Sequence, residues 1–291
     1  EALENVQKRY RIDEDRISVR GFSMGGAACW QFATHYADRW FAANPGAGFS
    51  ETPQFLKVFQ KEELKPTPWE QALWNLYDCD KWALNLTHCP TIAYSGENDS
   101  QKQAADVMEK AMANHGIRLR HIIGKGMGHR YDAESKHVID ASLNELATRG
   151  RRSDRQFLGF TTHSLKYNKA DWVTVNALGE HWAPATLIAS LEDETFGAAL
   201  LTVAIFPNIN DFTIQLPAGT LSPKCELVVL INSLGDDGEP INGENKSTEL
   251  RAFSDGSFQA TFRKNAQQEW EESAAPDGSL RKRHNLQGPI D

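Results

Sequence analysis

The sequence predicts an α/β protein, a parallel sheet carrying helices, followed by an antiparallel β-sandwich-like domain. Three observations point there. Residues 16–30 pass from a β-branched stretch, Ile17-Ser18-Val19-Arg20, through Gly21-Phe22-Ser23-Met24-Gly25-Gly26, into a small-residue helix start. Strand-like and helix-like segments then alternate with short joins to about residue 148, as parallel strands require. Beyond a charged stretch, short β-like runs succeed one another at turn signals, the pattern of a sandwich.

Taken in order, Leu3, Val6 and Tyr10 fall at helical spacing, and Asp13-Glu14-Asp15 is a polar turn before the strand Ile17 to Arg20. A helix is predicted from Met24 to about Tyr36, with Ala27, Ala28 and Ala33 allowing close packing. Phe41 to Asn44 reads as a buried strand closed by Pro45-Gly46-Ala47-Gly48. Between Ser50 and His88, Phe55, Phe59, Trp69, Trp74, Tyr77 and Trp82 crowd into short helical pieces broken by Pro66 and Pro68, where an insertion can form a lid or a pocket wall. An aromatic mini-core is the competing reading of the same residues. Then come a strand, Pro90 to Gly96, the loop Glu97-Asn98-Asp99-Ser100, and a helix, Gln101 to Ala113, with Ala104, Ala105, Met108 and Met112 on one face. Leu119 to Ile123 is the next strand, Gly124-Lys125-Gly126-Met127-Gly128-His129 a glycine-rich loop, and Glu134 to Leu146 a closing helix.

Composition narrows the partners. A chain of 291 residues exceeds what most single cores use, so two domains are expected. A formal net charge of -8 argues against nucleic acid or an anionic membrane as partner. No run of about 18 apolar residues is present to span a bilayer, and no signal peptide opens the chain. Cys29, Cys79, Cys89 and Cys225 lack metal-ligand spacing and are expected as unpaired thiols in or near a core, which leaves the compartment undetermined. Glu1 to Arg9 reads as a helix in mid-flow and Gln287 to Asp291 as a turn without a closing element, so both ends are expected to be cut.

The chemistry-bearing residues lie after strands. Ser23 falls on a strand-to-helix turn, where Gly21 and Gly25 are expected to give the backbone room, and the Met24 amide at the helix start can face a developing oxyanion. Asp99 and His129 each follow a later strand. Ligands bind beyond the carboxyl ends of parallel strands, so all three are expected at one sheet edge. A serine hydroxyl needs an imidazole to take its proton, and that imidazole needs a carboxylate to fix its tautomer. Glu97 and Asp132 are alternative acids. His35, His115, His121 and His137 look structural, and His88 precedes its strand.

At Gly21-Phe22-Ser23-Met24-Gly25-Gly26, Ser95-Gly96-Glu97-Asn98-Asp99 and Gly126-Met127-Gly128-His129 the sequence resembles the α/β-hydrolase superfamily, in its prolyl-oligopeptidase-like and esterase-like branch. The resemblance covers residues 1–148 and implies Ser23 as nucleophile, Asp99 as acid and His129 as base, with no metal and no organic cofactor. It also implies several strands before the nucleophile strand, whereas 16 residues precede it here. The first domain is therefore expected as a truncated α/β-hydrolase sheet. One oxyanion amide of the family is then unaccounted for, a loss of about 100- to 1000-fold in turnover. The open sheet edge is expected to be covered by self-association into a homo-oligomer; a monodisperse monomer in light scattering would contradict that.

The expected organisation is an α/β-hydrolase catalytic domain over 1–148, a linker over 149–156, a β-sandwich-like domain over 157–266 and a polar tail over 267–291. Strands are read at Trp172–Ala177, Thr186–Leu191, Ala199–Phe206, Phe212–Leu216, Glu226–Ile231 and Phe258–Phe262. His181, Trp182 and Trp172 mark a carbohydrate or partner surface in one reading, and core positions in the simpler one. The functional expectation is a carboxylesterase cleaving small short-chain esters, with Trp69 and Trp74 shaping its pocket. An aminopeptidase or oligopeptidase of the same fold is the first alternative, and a catalytically weak fragment whose β-domain binds a partner is the second.

Overall fold

Strand β1 (Ser18–Phe22) begins a parallel four-stranded sheet of order β1-β2-β3-β4, with β2 at Ala42–Gly46, β3 at Ile92–Gly96 and β4 at Arg120–Gly124. This computed structural model describes residues 2–151 and 156–274. The chain divides into two compact units, Glu1–Leu64 with His88–Ser153, and Lys65–Thr87 with Asp154–Asp291.

In the first unit, α1 (Ala2–Arg9) precedes β1 and α2 (Met24–His35) follows it. The small residues of α2 let it lie against the sheet, burying Ala27, Cys29, Trp30 and Ala33. Strand β2 runs through Pro45, a residue that the sequence pattern assigns to the closing turn. A central strand accepts it because the β2–β3 ladder is nearly bare: Gly46 opposite Tyr94 is its one registered pair, beside an isolated bridge between Ala43 and Thr91. Proline has no N–H to give. The Asn44 side chain supplies a substitute, donating from Nδ2 to the Ile92 carbonyl at 2.6 Å.

After β2 come a short helical turn, α3 (Thr52–Gln54), and a π-helical turn, Phe55–Gln60. Helix α4 (Pro68–Trp74) belongs to the second unit. Pro68 starts it rather than breaking it: at the first helical position the missing N–H costs nothing, and Thr67 with Glu70 forms a capping box. Helix α5 (Lys102–Ala113) buries Ala104, Ala105, Met108 and Met112 as its periodicity requires. Each methionine contributes about 1.5–3 kcal/mol by that burial. Helix α6 (Ala133–Arg149) is capped by Asp132, whose carboxylate accepts from Ser135 N at 2.7 Å, and ends at Gly150, which takes the φ of +73° there. It packs Ile139 and Leu143 against Phe41, Ile92 and Tyr94. Among the described residues β1 pairs with β2 alone, so its outer edge carries no neighbour.

The second unit is a two-sheet β-structure. One sheet has the order β14-β13-β10-β7-β6 and the other β12-β11-β9-β8-β5. Their strands are β5 (Phe157–Thr162), β6 (Lys169–Ala170), β7 (Val173–Leu178), β8 (Ala185–Leu191), β9 (Ala198–Ile205), β10 (Ile209–Leu216), β11 (Glu226–Leu234), β12 (Pro240–Leu250), β13 (Phe258–Lys264) and β14 (Trp270–Ser273). Inward residues of both sheets share one core, with Leu158, Leu187, Val203 and Val229 against Val173, Phe212, Ile214 and Phe262. Trp172 lies within it, the simpler of its two readings.

Three expectations are corrected here. The sandwich is not wholly antiparallel: β9 and β11 pair in parallel, because the chain leaves that sheet to make β10 in the other before returning. Residues 270–273, expected as tail, pair with β13 as strand β14, since Trp270 is buried and its indole N–H donates to Ser233 Oγ at 2.9 Å. Residues 65–87 join this unit rather than the first. The Asn85 amide pairs with the Thr161 backbone in both directions, at 2.8 and 3.0 Å, and Trp82 lies on His163 with ring centroids 5.1 Å apart. Half of the expected linker, 152–155, and most of the tail, 275–291, lie outside the described residues. All four cysteines are buried, in or near a core as expected.

Candidate active site

Ser23 sits between β1 and α2 with φ 56° and ψ −120°, a conformation that side-chain-bearing residues rarely adopt. Two backbone hydrogen bonds hold it there: Ser23 N donates to the Gly46 carbonyl at 2.8 Å, and Ala27 N donates to the Ser23 carbonyl at 3.1 Å. Glycines make the turn possible by letting backbones touch. A Cβ on Gly21 would overlap the Gly25 carbonyl, and one on Gly26 would overlap the Gly46 carbonyl. A Cβ on Gly48 would overlap the Ala27 amide. Gly25 itself has open space where its Cβ would lie, which corrects the expectation that it supplies room as a small residue. The partners in these approaches are main chain and cannot step aside as a side chain tip does. Gly21→Ala is therefore expected to destabilise the protein by about 2–4 kcal/mol, read as a fall in the denaturant midpoint, whereas Gly25→Ala leaves the midpoint nearly unchanged.

The other two residues are delivered by loops locked to one another. Gly96 at the end of β3 touches the Gly128 carbonyl so closely that no side chain fits. Glu97 N donates to the Gly124 carbonyl at 2.9 Å, Asn98 N to the Met127 carbonyl at 2.8 Å, and Gly126 N to the Glu97 carboxylate at 2.7 Å. Glu97 thus fastens the glycine-rich loop, and Asp132 caps α6, so both rival acids have other partners.

The structure brings Ser23, His129 and Asp99 into one hydrogen-bonded chain. His129 Nδ1 lies 2.8 Å from Asp99 Oδ2, and His129 Nε2 lies 2.8 Å from Ser23 Oγ. Asp99 Oδ1 accepts from Gln101 N at 2.9 Å, which fixes the carboxylate plane. A carboxylate can only accept, so Nδ1 carries the proton and Nε2 receives the Ser23 hydroxyl. The Asp99 side chain is 2% exposed and that of His129 40%: a carboxylate shielded from water behind an imidazole open to it. Phe22 lies 4.9 Å from the His129 ring and 4.8 Å from Tyr131, and Tyr131 stacks on Tyr94 at 4.3 Å. Tyr94 Oη in turn donates to the Arg130 carbonyl at 2.7 Å. Burial pushes the Tyr131 phenol up to about 12, so it stays neutral in this stack. The Met24 amide is at the first position of α2, among the N–H groups that a helix leaves without internal partners.

A family pattern fits this geometry: that of the prolyl oligopeptidase family matches residues 1–147. The chain belongs to the prolyl oligopeptidase family. No curated protein matches it. Among solved structures it is similar to a ferulic acid esterase, at 17% identity and a TM-score of 0.39, over 50% of this chain and 59% of that one. It is also similar to the S-formylglutathione hydrolase FrmB from Staphylococcus aureus, at 16% identity and a TM-score of 0.37, over 50% of this chain and 61% of that one. An acylaminoacyl peptidase from Pyrococcus horikoshii matches at 17% identity and a TM-score of 0.42, over 53% and 27% of the two chains. The chain thus covers less than two thirds of the length of these proteins. As a member of that family its first unit takes the α/β-hydrolase fold.

Trp69 and Trp74, expected as pocket walls, are both carried by α4 in the second unit, with Trp69 65% exposed. The first unit carries an aromatic cluster of its own. Phe49 follows Gly48, whose backbone lies against Ser23, and it meets Phe55 at 4.4 Å; Phe55 stacks on Phe59 at 5.2 Å. In the sequence, Phe55 and Phe59 stand out only as members of an aromatic crowd, and Phe49 not at all. The signal available is that one short segment after the second strand carries all three.

Proposed function

We propose that this chain is a carboxylesterase-type serine hydrolase that works through an acyl-enzyme. The observation that carries the reading is the relay from Ser23 Oγ through His129 to the buried Asp99 carboxylate, 2.8 Å at each step. Ser23 Oγ attacks the ester carbonyl carbon as its proton passes to His129 Nε2. The carbonyl oxygen becomes an oxyanion facing the Met24 amide, where the helix end favours negative charge. Collapse breaks the bond to the alcohol, which leaves with the proton held by His129. Water then gives a proton to His129 and attacks the acyl carbon, and Ser23 recovers its hydrogen as the acid departs. Asp99 keeps Nδ1 protonated throughout and stabilises the imidazolium.

A peptidase reading is favoured by one specific finding, the match to the prolyl oligopeptidase family. The two readings part on leaving group. The esterase reading expects the purified chain to hydrolyse short-chain p-nitrophenyl esters with kcat/KM at least about 100-fold above that for amino-acyl p-nitroanilides. Equal or greater activity on the anilides overturns it in favour of the peptidase.

A further inference from the structure

Away from Ser23, three metal-ligating side chains converge where α5 crosses β4. Asp106 and Glu109 stand one turn apart on the exposed face of α5, and His121 reaches them from β4. One ligand atom from each lies within 4.8 Å of the others. His121 Nδ1 is 3.7 Å from Asp106 Oδ1 and 3.7 Å from Glu109 Oε2, beyond hydrogen-bonding distance of both. Its Nε2 lies 3.0 Å from the Oγ of Ser95, a fully buried residue of β3. The His121 side chain is 6% exposed, so the ring is fixed from behind and aimed between two carboxylates.

Together they form a donor set of one imidazole nitrogen and two carboxylates. In the tautomer that donates Nε2–H to Ser95 Oγ, the Nδ1 lone pair points toward the two carboxylates and can ligate a cation held between them. Lys102 Nζ contacts Asp106 Oδ1 at 2.5 Å and Oδ2 at 2.7 Å, which neutralises that carboxylate and leaves Glu109 and His121 facing each other.

We propose that Asp106, Glu109 and His121 form a structural site for a divalent transition metal, Zn²⁺ by preference. One imidazole and two carboxylates suit a borderline ion better than the all-oxygen shells of Ca²⁺ or Mg²⁺. Zinc bonds of about 2.0–2.2 Å set neighbouring ligand atoms about 3.3–3.5 Å apart, so the two 3.7 Å separations close by a few tenths of an ångström through rotation of exposed carboxylates. The Ser95 hydroxyl behind Nε2 is the kind of outer partner that orients metal-bound histidines. Water completes the shell. The ion would join the helix that follows the Asp99 loop to the strand that enters the His129 loop.

Zn²⁺ titrated calorimetrically into chelator-treated, dialysed full chain tests this without reading hydrolysis. The expected result is one ion per chain with a rise in Tm of about 3–6 °C at saturation. Asp106→Asn with Glu109→Gln, both at exposed positions that leave the fold intact, should weaken binding at least about 100-fold. Lys102→Gln, which removes a competing cation, should tighten it about tenfold. No bound ion, or uptake by the double variant equal to that of the unaltered chain, overturns the site.

Discussion

Replacing Ser23 with Ala is expected to lower ester turnover by about 10⁴- to 10⁶-fold, because the three residues act as a unit and loss of the nucleophile removes the covalent path altogether. The fold should survive. The substitution takes away the hydrogen bond between Oγ and His129, while the backbone bonds to Gly46 and Ala27 that shape the turn remain. Unchanged KM-range binding of a non-hydrolysable ester analogue, beside unchanged thermal melting, separates loss of chemistry from loss of structure. Activity within tenfold of the unaltered chain would place the chemistry elsewhere.

Asp99→Asn is expected to reduce kcat by about 10⁴-fold with little change in stability. The amide oxygen can still accept from Gln101 N, so the loop keeps its hydrogen bond. The amide NH₂, however, can turn toward His129 and favour the tautomer with its proton on Nε2, which cannot take one from Ser23. No water can stand in at a side chain 2% exposed. Raising the pH does not restore the rate, since the lost group is the partner of the imidazole rather than its proton. A drop of less than about tenfold would mean that another acid serves His129, and the roles of Glu97 and Asp132 in holding the loop and capping α6 leave neither free to do so.

How much of this is legible in the sequence depends on the distance over which each feature is encoded. Ser23, Asp99 and His129 are readable because each follows its own strand, and parallel strands deliver their ends to one edge. Glycine roles are only half readable. Gly21 approaches Gly25, four residues on, but Gly26 and Gly48 are required because two segments far apart in sequence meet at the elbow. No local pattern reports that. Strands with clear alternation, such as β9 and β11, can be found, yet their parallel pairing cannot, because register is set by the route of the chain through β10 in the other sheet. Strands β12 and β14 escape notice, being polar in composition, with Trp270 the buried residue of β14. Membership of residues 65–87 in the second unit is likewise hidden: it rests on Asn85 pairing with Thr161 and Leu84 filling the space above Gly159, partners more than 70 residues apart. His121 reads as structural from its place on a strand, and only the approach of α5 shows what faces it.

The most direct test of the central claim is covalent labelling of the intact chain with a fluorophosphonate, followed by mass spectrometric location of the adduct. The relay through His129 predicts one phosphonyl group per chain, attached to Ser23 and absent from the Asp99→Asn protein over the same time. A chain that takes no label while folded, or takes it at another residue, would contradict Ser23 as an activated nucleophile.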